Sequence, residues 1–175
     1  GSYYDCADAD VCVLTAGPQF PPNTPRLDKL DQTATLVGRI VPSIMATGFD
    51  GIFLVVTNPV DLMTWLVQQL SGLPDTRVIG TGTALDTARL RCYLADALAV
   101  DPRSVTAFVM GEHGEEQVIP WSLVSVAGKP LDQVFEDHPD LLPGFDREAV
   151  ANTIADVTYN LAGVKGTTTF GVSSV

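Results

Sequence analysis

The segment Asp50-Gly51-Ile52-Phe53-Leu54-Val55-Val56-Thr57-Asn58-Pro59-Val60-Asp61 carries the first decision about this chain. Its apolar run, Ile52-Phe53-Leu54-Val55-Val56, is too short for a helix and is bounded by turn residues. It reads as a strand, and an unbroken apolar run suggests burial on both faces. Asn58-Pro59 then opens a helix, with Asn as N-cap and Pro as first helical residue. Leu62, Leu66 and Leu70 line one face of that helix, and Gly72 sits just past its end.

The same alternation extends in both directions. Upstream, Val11-Cys12-Val13-Leu14 is a short apolar run ended by Ala16-Gly17-Pro18, and a loop with Pro18, Pro21, Pro22 and Pro25 follows. Leu27, Leu30, Ala34, Val37, Ile40, Val41 and Ile44 then recur at mostly three- and four-residue spacings. They predict an amphipathic helix over 25–47, capped by Asn23 or Thr24, which Pro42 should kink or interrupt. Downstream, Arg77-Val78-Ile79-Gly80 is a third strand. Strands joined by whole helices are most simply parallel, so residues 9–82 form three β-α steps of an open α/β sheet. The second half reads differently: a helix over 84–98, strands of an antiparallel or mixed region over 104–110 and 121–126, a surface excursion over 136–147, and a last helix over 148–161.

Composition bounds the function. With 46% hydrophobic and 18% charged residues, the 175-residue chain is globular. A chain of this length buries roughly 70% of its unfolded surface, as one large domain or two small lobes. The 21 acidic against 10 basic residues, a net charge of -11, argue against nucleic acid and anionic membranes as partners. An anionic metabolite stays open, because a few buried cations can dominate a pocket. No basic stretch followed by an apolar one opens the chain, and no apolar run could span a membrane, so the chain reads as soluble and cytoplasmic. Cys6, Cys12 and Cys92 cannot all pair and form no CxxC, so buried free thiols in a reducing compartment are expected. Only two histidines occur and no ligand spacing fits, so no metal is expected. A hydrolase built on His113 is disfavoured, because no GxSxG elbow exists.

In an open α/β sheet, ligands bind beyond the carboxyl ends of the strands. Those ends are Thr15-Ala16-Gly17, Thr57-Asn58 and Gly80-Thr81-Gly82-Thr83, whose glycines and threonines admit a ligand and offer hydrogen bonds. Gly80-x-Gly82 does not complete a dinucleotide fingerprint: Leu85 stands where the third glycine belongs, and no GxGxxG occurs in the chain. Taken singly, His113 beside glycines could be a turn or core histidine, Asp86 a helix cap, Arg89 a solvated cation and Arg26 a loop cation.

Four strings change that reading: Asp8-Ala9-Asp10-Val11-Cys12-Val13-Leu14-Thr15-Ala16-Gly17, Thr57-Asn58-Pro59-Val60-Asp61, Gly80-Thr81-Gly82-Thr83-Ala84-Leu85-Asp86-Thr87-Ala88-Arg89, and Gly111-Glu112-His113-Gly114. In this order and spacing the chain resembles the L-lactate/malate dehydrogenase family, closest over 48–121 to its L-lactate and L-2-hydroxyisocaproate branch. The resemblance implies the second half of a Rossmann-type doubly wound parallel sheet over 1–82, lacking the GxGxxG half of an NAD-binding domain, and part of an α+β catalytic domain over 83–175. It implies NAD as cofactor, a small 2-keto or L-2-hydroxy acid as substrate, and a homo-oligomer, dimer or tetramer. His113 matches the family's proton donor and acceptor, Asp86 the carboxylate that orients it, Arg89 the arginine that grips the substrate carboxylate, and Arg26 the mobile-loop arginine that polarises the carbonyl. Asn58 matches a residue near nicotinamide and substrate, Thr168 a threonine of the substrate pocket, and Thr15, Ala16, Gly17 and Val56 cofactor-contacting positions.

The chemistry needs these residue types. Reducing a 2-keto acid adds hydride to carbon and a proton to oxygen, and a histidine can supply that proton. A carboxylate fixes its tautomer, an arginine fork grips a carboxylate bidentately, and a second cation stabilises charge on the carbonyl oxygen. Asp86 and Arg89, three apart, can share a helix face. Family members also begin with a strand, a Gly-rich phosphate loop and an acid for the adenine ribose, and end with further strands and a long helix. None of these lies within the 175 residues, so the resemblance implies a chain truncated at both ends that binds NAD weakly and turns over little alone. The alternative is a non-catalytic fragment that only folds or oligomerises. The specificity position falls on Phe20, where lactate enzymes carry Gln and malate enzymes Arg, which favours apolar 2-keto acids over oxaloacetate. Arg91 matches a position used for fructose 1,6-bisphosphate activation, but Thr106 stands at the partner histidine, so no activation is expected. Glu115 replaces a common Asp after Gly-Glu-His-Gly, with no effect assigned.

Overall fold

The computed structural model of the chain describes residues 1–18, 26–114, 116–165 and 171–175, the side chains of 26–28 and 157–165 excepted. Two compact units divide it, Gly1–Gly82 and Thr83–Val175.

In the first unit, strand β1 (Val11–Leu14), helix α1 (Arg26–Met45), strand β2 (Ile52–Val55), helix α2 (Val60–Ser71) and strand β3 (Val78–Gly80) alternate. The sheet order is β1-β2-β3 and both pairs are parallel, with Val11 opposite Ile52 and Phe53 opposite Val78. Leu14, Phe53, Val55 and Val78 form one core with Val37, Val41 and Ile44 of α1 and Met63 and Val67 of α2. Both helices therefore cover the same face. Strand side chains alternate between faces, and on the other face Val11 is 50%, Val13 53% and Ile79 46% exposed, while Ile52 and Leu54 of the central strand are half-buried. Within these 175 residues the expected burial is complete on one face only.

Two local expectations also change. Helix α1 runs unbroken through Pro42. Pro42 cannot donate to the Gly38 carbonyl, but both residues are exposed, so that carbonyl is open to water while Val41 stays fully buried. At α2 the cap is Pro59, in extended conformation, and its carbonyl accepts the first helical bond from Met63 at 2.9 Å. Asn58 thus lies one residue before the cap, joined to Pro59 by a cis peptide bond. Gly72 does end α2 in the left-handed region, at φ +65°, with its N–H bonded to the Gln68 carbonyl.

The second unit contains helix α3 (Ala84–Leu98), short strands β4 (Val105–Thr106), β5 (Met110–Gly111), β6 (Gln117–Val118), β7 (Ser125–Val126) and β8 (Lys129–Pro130), and helices α4 (Leu131–Asp137) and α5 (Arg147–Lys165). All strand pairs are antiparallel, in the orders β4-β7-β8 and β5-β6. Leu90, Leu94 and Leu98 of α3 pack with Val105, Ala107, Val109, Val124, Leu131, Val150 and Ile154. Residues 104–110 keep the alternation of a strand, Val105, Ala107 and Val109 inward, yet only their ends join a ladder. Residues 121–126 begin with a tight turn at Trp121–Leu123, and only Ser125–Val126 join a ladder. Part of the expected excursion is helical, since α4 runs to Asp137. No described helix is long and apolar enough to cross a membrane.

All three cysteines are free, but the expectation of burial fails at Cys92, which is exposed on α3, while Cys6 and Cys12 are half-buried. Burial, reinforced by the neighbouring Cys6 thiol, pushes the Cys12 thiol above its ordinary pKa. A raised pKa leaves less thiolate at pH 8, and the thiolate is the nucleophile. A chromogenic disulfide reagent should therefore modify Cys92 first and Cys12 last. A Cys92→Ser chain that retains the fast phase would contradict this order.

Candidate active site

The candidate catalytic residues come from two segments of the second unit. Helix α3 supplies Asp86 and Arg89 from its first turns, and the turn after β5 supplies His113. Asp86 makes no capping bond to its own helix. Instead its Oδ2 lies 2.6 Å from His113 Nδ1. Its Oδ1 accepts from Arg89 Nη1 at 3.4 Å, a long contact whose effect is electrostatic more than directional. The Asp86 side chain is only 3% exposed, against 22% for His113 and 16% for Arg89. A buried carboxylate needs partners, and an imidazole and a guanidinium supply them.

An ionised carboxylate only accepts, so the contact with Asp86 Oδ2 suits an imidazole that carries a hydrogen on Nδ1. Arg89 stands three residues along α3 from Asp86. Gly111 makes the approach possible. Its φ is +89°, and a Cβ there would meet the Glu116 carbonyl at 2.9 Å. The Gly-Glu-His-Gly string thus has a backbone reason for its first glycine.

Side chains of α3 and of its N-cap, Thr83, also bind the backbone leading to that turn. Thr83 Oγ1 donates to the Val109 carbonyl at 2.5 Å, and Thr87 Oγ1 accepts the Val109 N–H at 2.9 Å. Arg91 Nε donates to the Ala107 carbonyl at 3.0 Å, and its guanidinium stacks 5.3 Å over the Phe108 ring. Arg91 is therefore engaged structurally, while Thr106, its expected counterpart in a bisphosphate site, is exposed in β4.

The first unit gathers the other candidates. Because β1, β2 and β3 are parallel, Thr15, Ala16 and Gly17, then Val56 and Asn58, then Gly80 and Thr81 lie at one edge of the sheet. Thr15, Gly17 and Asn58 are exposed, and Ala16 and Val56 half-buried. Thr57, which the sequence marks only as part of a strand end, has a definite partner here. It is 5% exposed, and its Oγ1 sits 2.8 Å from the Ala16 carbonyl and 3.1 Å from that of Leu14. A threonine ending an apolar strand was the available signal, but its partner lies 41 residues away in sequence. Gly80 is required by packing, since a Cβ would strike the Thr64 hydroxyl. Among the expected site residues, Phe20 and Thr168 lie outside the described residues, as does Glu115, and Arg26 opens α1 with its side chain outside them. No group of three His, Cys, Asp or Glu forms a metal site among the described residues.

Comparison with known proteins places this arrangement. Residues 1–80 match the family model for the lactate/malate dehydrogenase NAD binding domain, and residues 83–174 that for the lactate/malate dehydrogenase alpha/beta C-terminal domain. The chain is similar to L-lactate dehydrogenase 3 of Bacillus cereus, 45% identical over 174 residues. It is 43% identical to L-lactate dehydrogenase 1 of Bifidobacterium longum, also over 174 residues. In each case 99% of this chain is covered, and 55% of the relative. The crystal structure of minor L-lactate dehydrogenase from Enterococcus mundtii in its ligands-bound form superposes with a TM-score of 0.92 at 43% identity, over 99% of this chain and 55% of that one. The chain thus spans about half the length of the curated relatives it matches. With both of its units matched by the two domain models in sequence, the chain belongs to the lactate/malate dehydrogenase family.

Proposed function

We propose that this chain carries the catalytic residues of an NAD-dependent L-2-hydroxyacid dehydrogenase of the L-lactate type. One observation carries the reading: a buried carboxylate, Asp86, bonded to His113 at 2.6 Å with Arg89 beside it on the same helix. His113 Nε2 is the proton donor for keto-acid reduction and the acceptor for the reverse reaction. Asp86 holds the tautomer and stabilises the imidazolium that forms when lactate is oxidised. The Arg89 fork grips the substrate carboxylate, and Arg26 polarises the substrate carbonyl. By the resemblance, Thr168 and Phe20 are the residues that would select the substrate's side chain.

Thr15, Ala16, Gly17, Val56 and Asn58 would hold the dinucleotide. The parallel strand ends fit this use, because exposed Thr15, Gly17 and Asn58 stand at the edge where open α/β sheets receive ligands, and no atom crowds Gly17 within 4 Å. Thr57 fixes the Ala16 carbonyl and so sets the path of that loop. The nicotinamide supplies or removes the hydride when bound. On this reading residues 1–82 are the second half of the NAD-binding domain and residues 83–175 part of the substrate domain. The working protein is a soluble cytoplasmic homo-oligomer, dimer or tetramer.

Two measurements test the reading in the native protein that carries these residues. In NADH-linked pyruvate reduction, His113→Gln should lower kcat about 10²- to 10⁴-fold, the usual weight of a positioned acid–base group. Arg89→Lys should raise KM for pyruvate about tenfold or more, because an ammonium cannot reproduce the bidentate fork. Unchanged kcat in the first variant would remove His113 from the mechanism. Offered pyruvate, 2-ketoisocaproate and oxaloacetate in parallel, the protein should use the first two and neglect the third, since Phe20 gives a second carboxylate no cation. A preference for oxaloacetate would refute the assignment of Phe20.

A further inference from the structure

The backbone of residues 107–109 has an unusual set of partners. It belongs to no strand ladder, though β4 precedes it and β5 follows it. Buried backbone groups must still be paired, and Ala107 and Val109 are 0% and 3% exposed. The pairing comes from Thr83, the N-cap of α3, and from Thr87 and Arg91 on the helix, spaced four apart and so stacked along one side of it. Thr83 satisfies the Val109 carbonyl, Thr87 the Val109 N–H, and Arg91 the Ala107 carbonyl. Thr87 Oγ1 also lies 3.4 Å from the Val109 carbonyl, which gives its own hydrogen a direction.

Val109 is four residues before His113, and Thr87 is the residue after Asp86. The two partners of the 2.6 Å imidazole–carboxylate contact are therefore each tied, within a few residues, to one Thr–backbone clamp. We infer that Thr87, seconded by Thr83, is a positioning residue that sets the reach of His113 to Asp86. This rests on the function proposed above only for its kinetic consequence; the geometric claim stands on the contacts themselves. Val packs as Thr does but cannot accept the Val109 N–H, so Thr87→Val leaves a buried donor unpaired and frees the 109–113 segment to drift from α3. A displacement of about 1 Å at a reacting group costs up to about 10²-fold in rate. Arg89, on the helix itself, keeps its place, so substrate binding is spared.

The test compares Thr87→Val and Thr87→Ser with the parent. His113 and His138 are the only histidines in the chain, so imidazole resonances report on the contact directly, with the exposed His138 as internal reference. Thr87→Val should move the His113 resonances toward those of an unpartnered imidazole and leave His138 unchanged, and Thr87→Ser should restore the parent pattern. In pyruvate reduction, Thr87→Val should lower kcat about 10- to 100-fold with KM within about threefold, and Ser should recover most of the loss. A folded Thr87→Val chain with unaltered His113 resonances overturns the inference. If Thr87→Val does not fold, Thr87→Ser decides: parent-like His113 resonances support the clamp, and displaced ones contradict it. Shifted resonances in a protein without keto-acid activity would uphold the clamp and refute the proposed function instead.

Discussion

A carboxylate that is 3% exposed cannot be left alone, and most of the second unit follows from meeting that requirement at Asp86. Removing one partner of a buried charge costs on the order of 3–5 kcal/mol, far more than a surface pair contributes. His113 and Arg89 answer it from two directions, one across the fold and one along the helix. To bring the imidazole in, the chain must turn sharply after β5, which Gly111 permits, and must run along α3 at a fixed height, which the Thr83, Thr87 and Arg91 bonds maintain. The apolar alternation of Val105, Ala107 and Val109 against Leu90, Leu94 and Leu98 supplies the adhesion but not the register. Polar bonds specify it.

The first unit solves a different problem with similar means. Three parallel strands bring three loops to one edge, and hydrogen bonds between strand ends hold the loops there. Val56 N and Thr57 N both donate to the Leu14 carbonyl, Thr81 N donates to that of Val55, and the Thr57 hydroxyl reaches Ala16. The starts of these loops are thus fixed by hydrogen bonds that continue the ladder past the strand ends.

Much of this was legible in the sequence because it is local. The apolar runs at residues 11–14 and 52–56 and the Ala- and Leu-rich stretch at 84–98 each indicate an element from neighbouring residues alone. Pro42 and Asn58 show where local rules stop. Whether a proline breaks a helix depends on which side its missing bond faces, and whether an asparagine caps one depends on the conformation of the proline beside it. The ladders of the second half are shorter than its alternation suggests for a related reason: alternation reports burial, and burial does not require a ladder. The Asp86–His113 contact joins residues 27 apart, and nothing in either segment's spacing announces the other. Only the likeness of four strings to a known family tied them together before the geometry did. Thr57, Thr83 and Thr87 lie within those strings without a role of their own, since a threonine at a strand end or on a helix has ordinary local uses and its backbone partner is distant.

In the function proposed above, Asp86 makes His113 a proton donor by fixing one tautomer. The most direct measurement is NADH-linked pyruvate reduction by Asp86→Asn beside NADH binding by the same variant. Asparagine keeps the volume but can present an N–H to Nδ1, which favours the wrong tautomer. The account predicts a loss of about 10²- to 10⁴-fold in kcat with the Kd for NADH unchanged, because the residues proposed to hold the dinucleotide lie in the other unit. A variant that reduces pyruvate at the parent rate would contradict it.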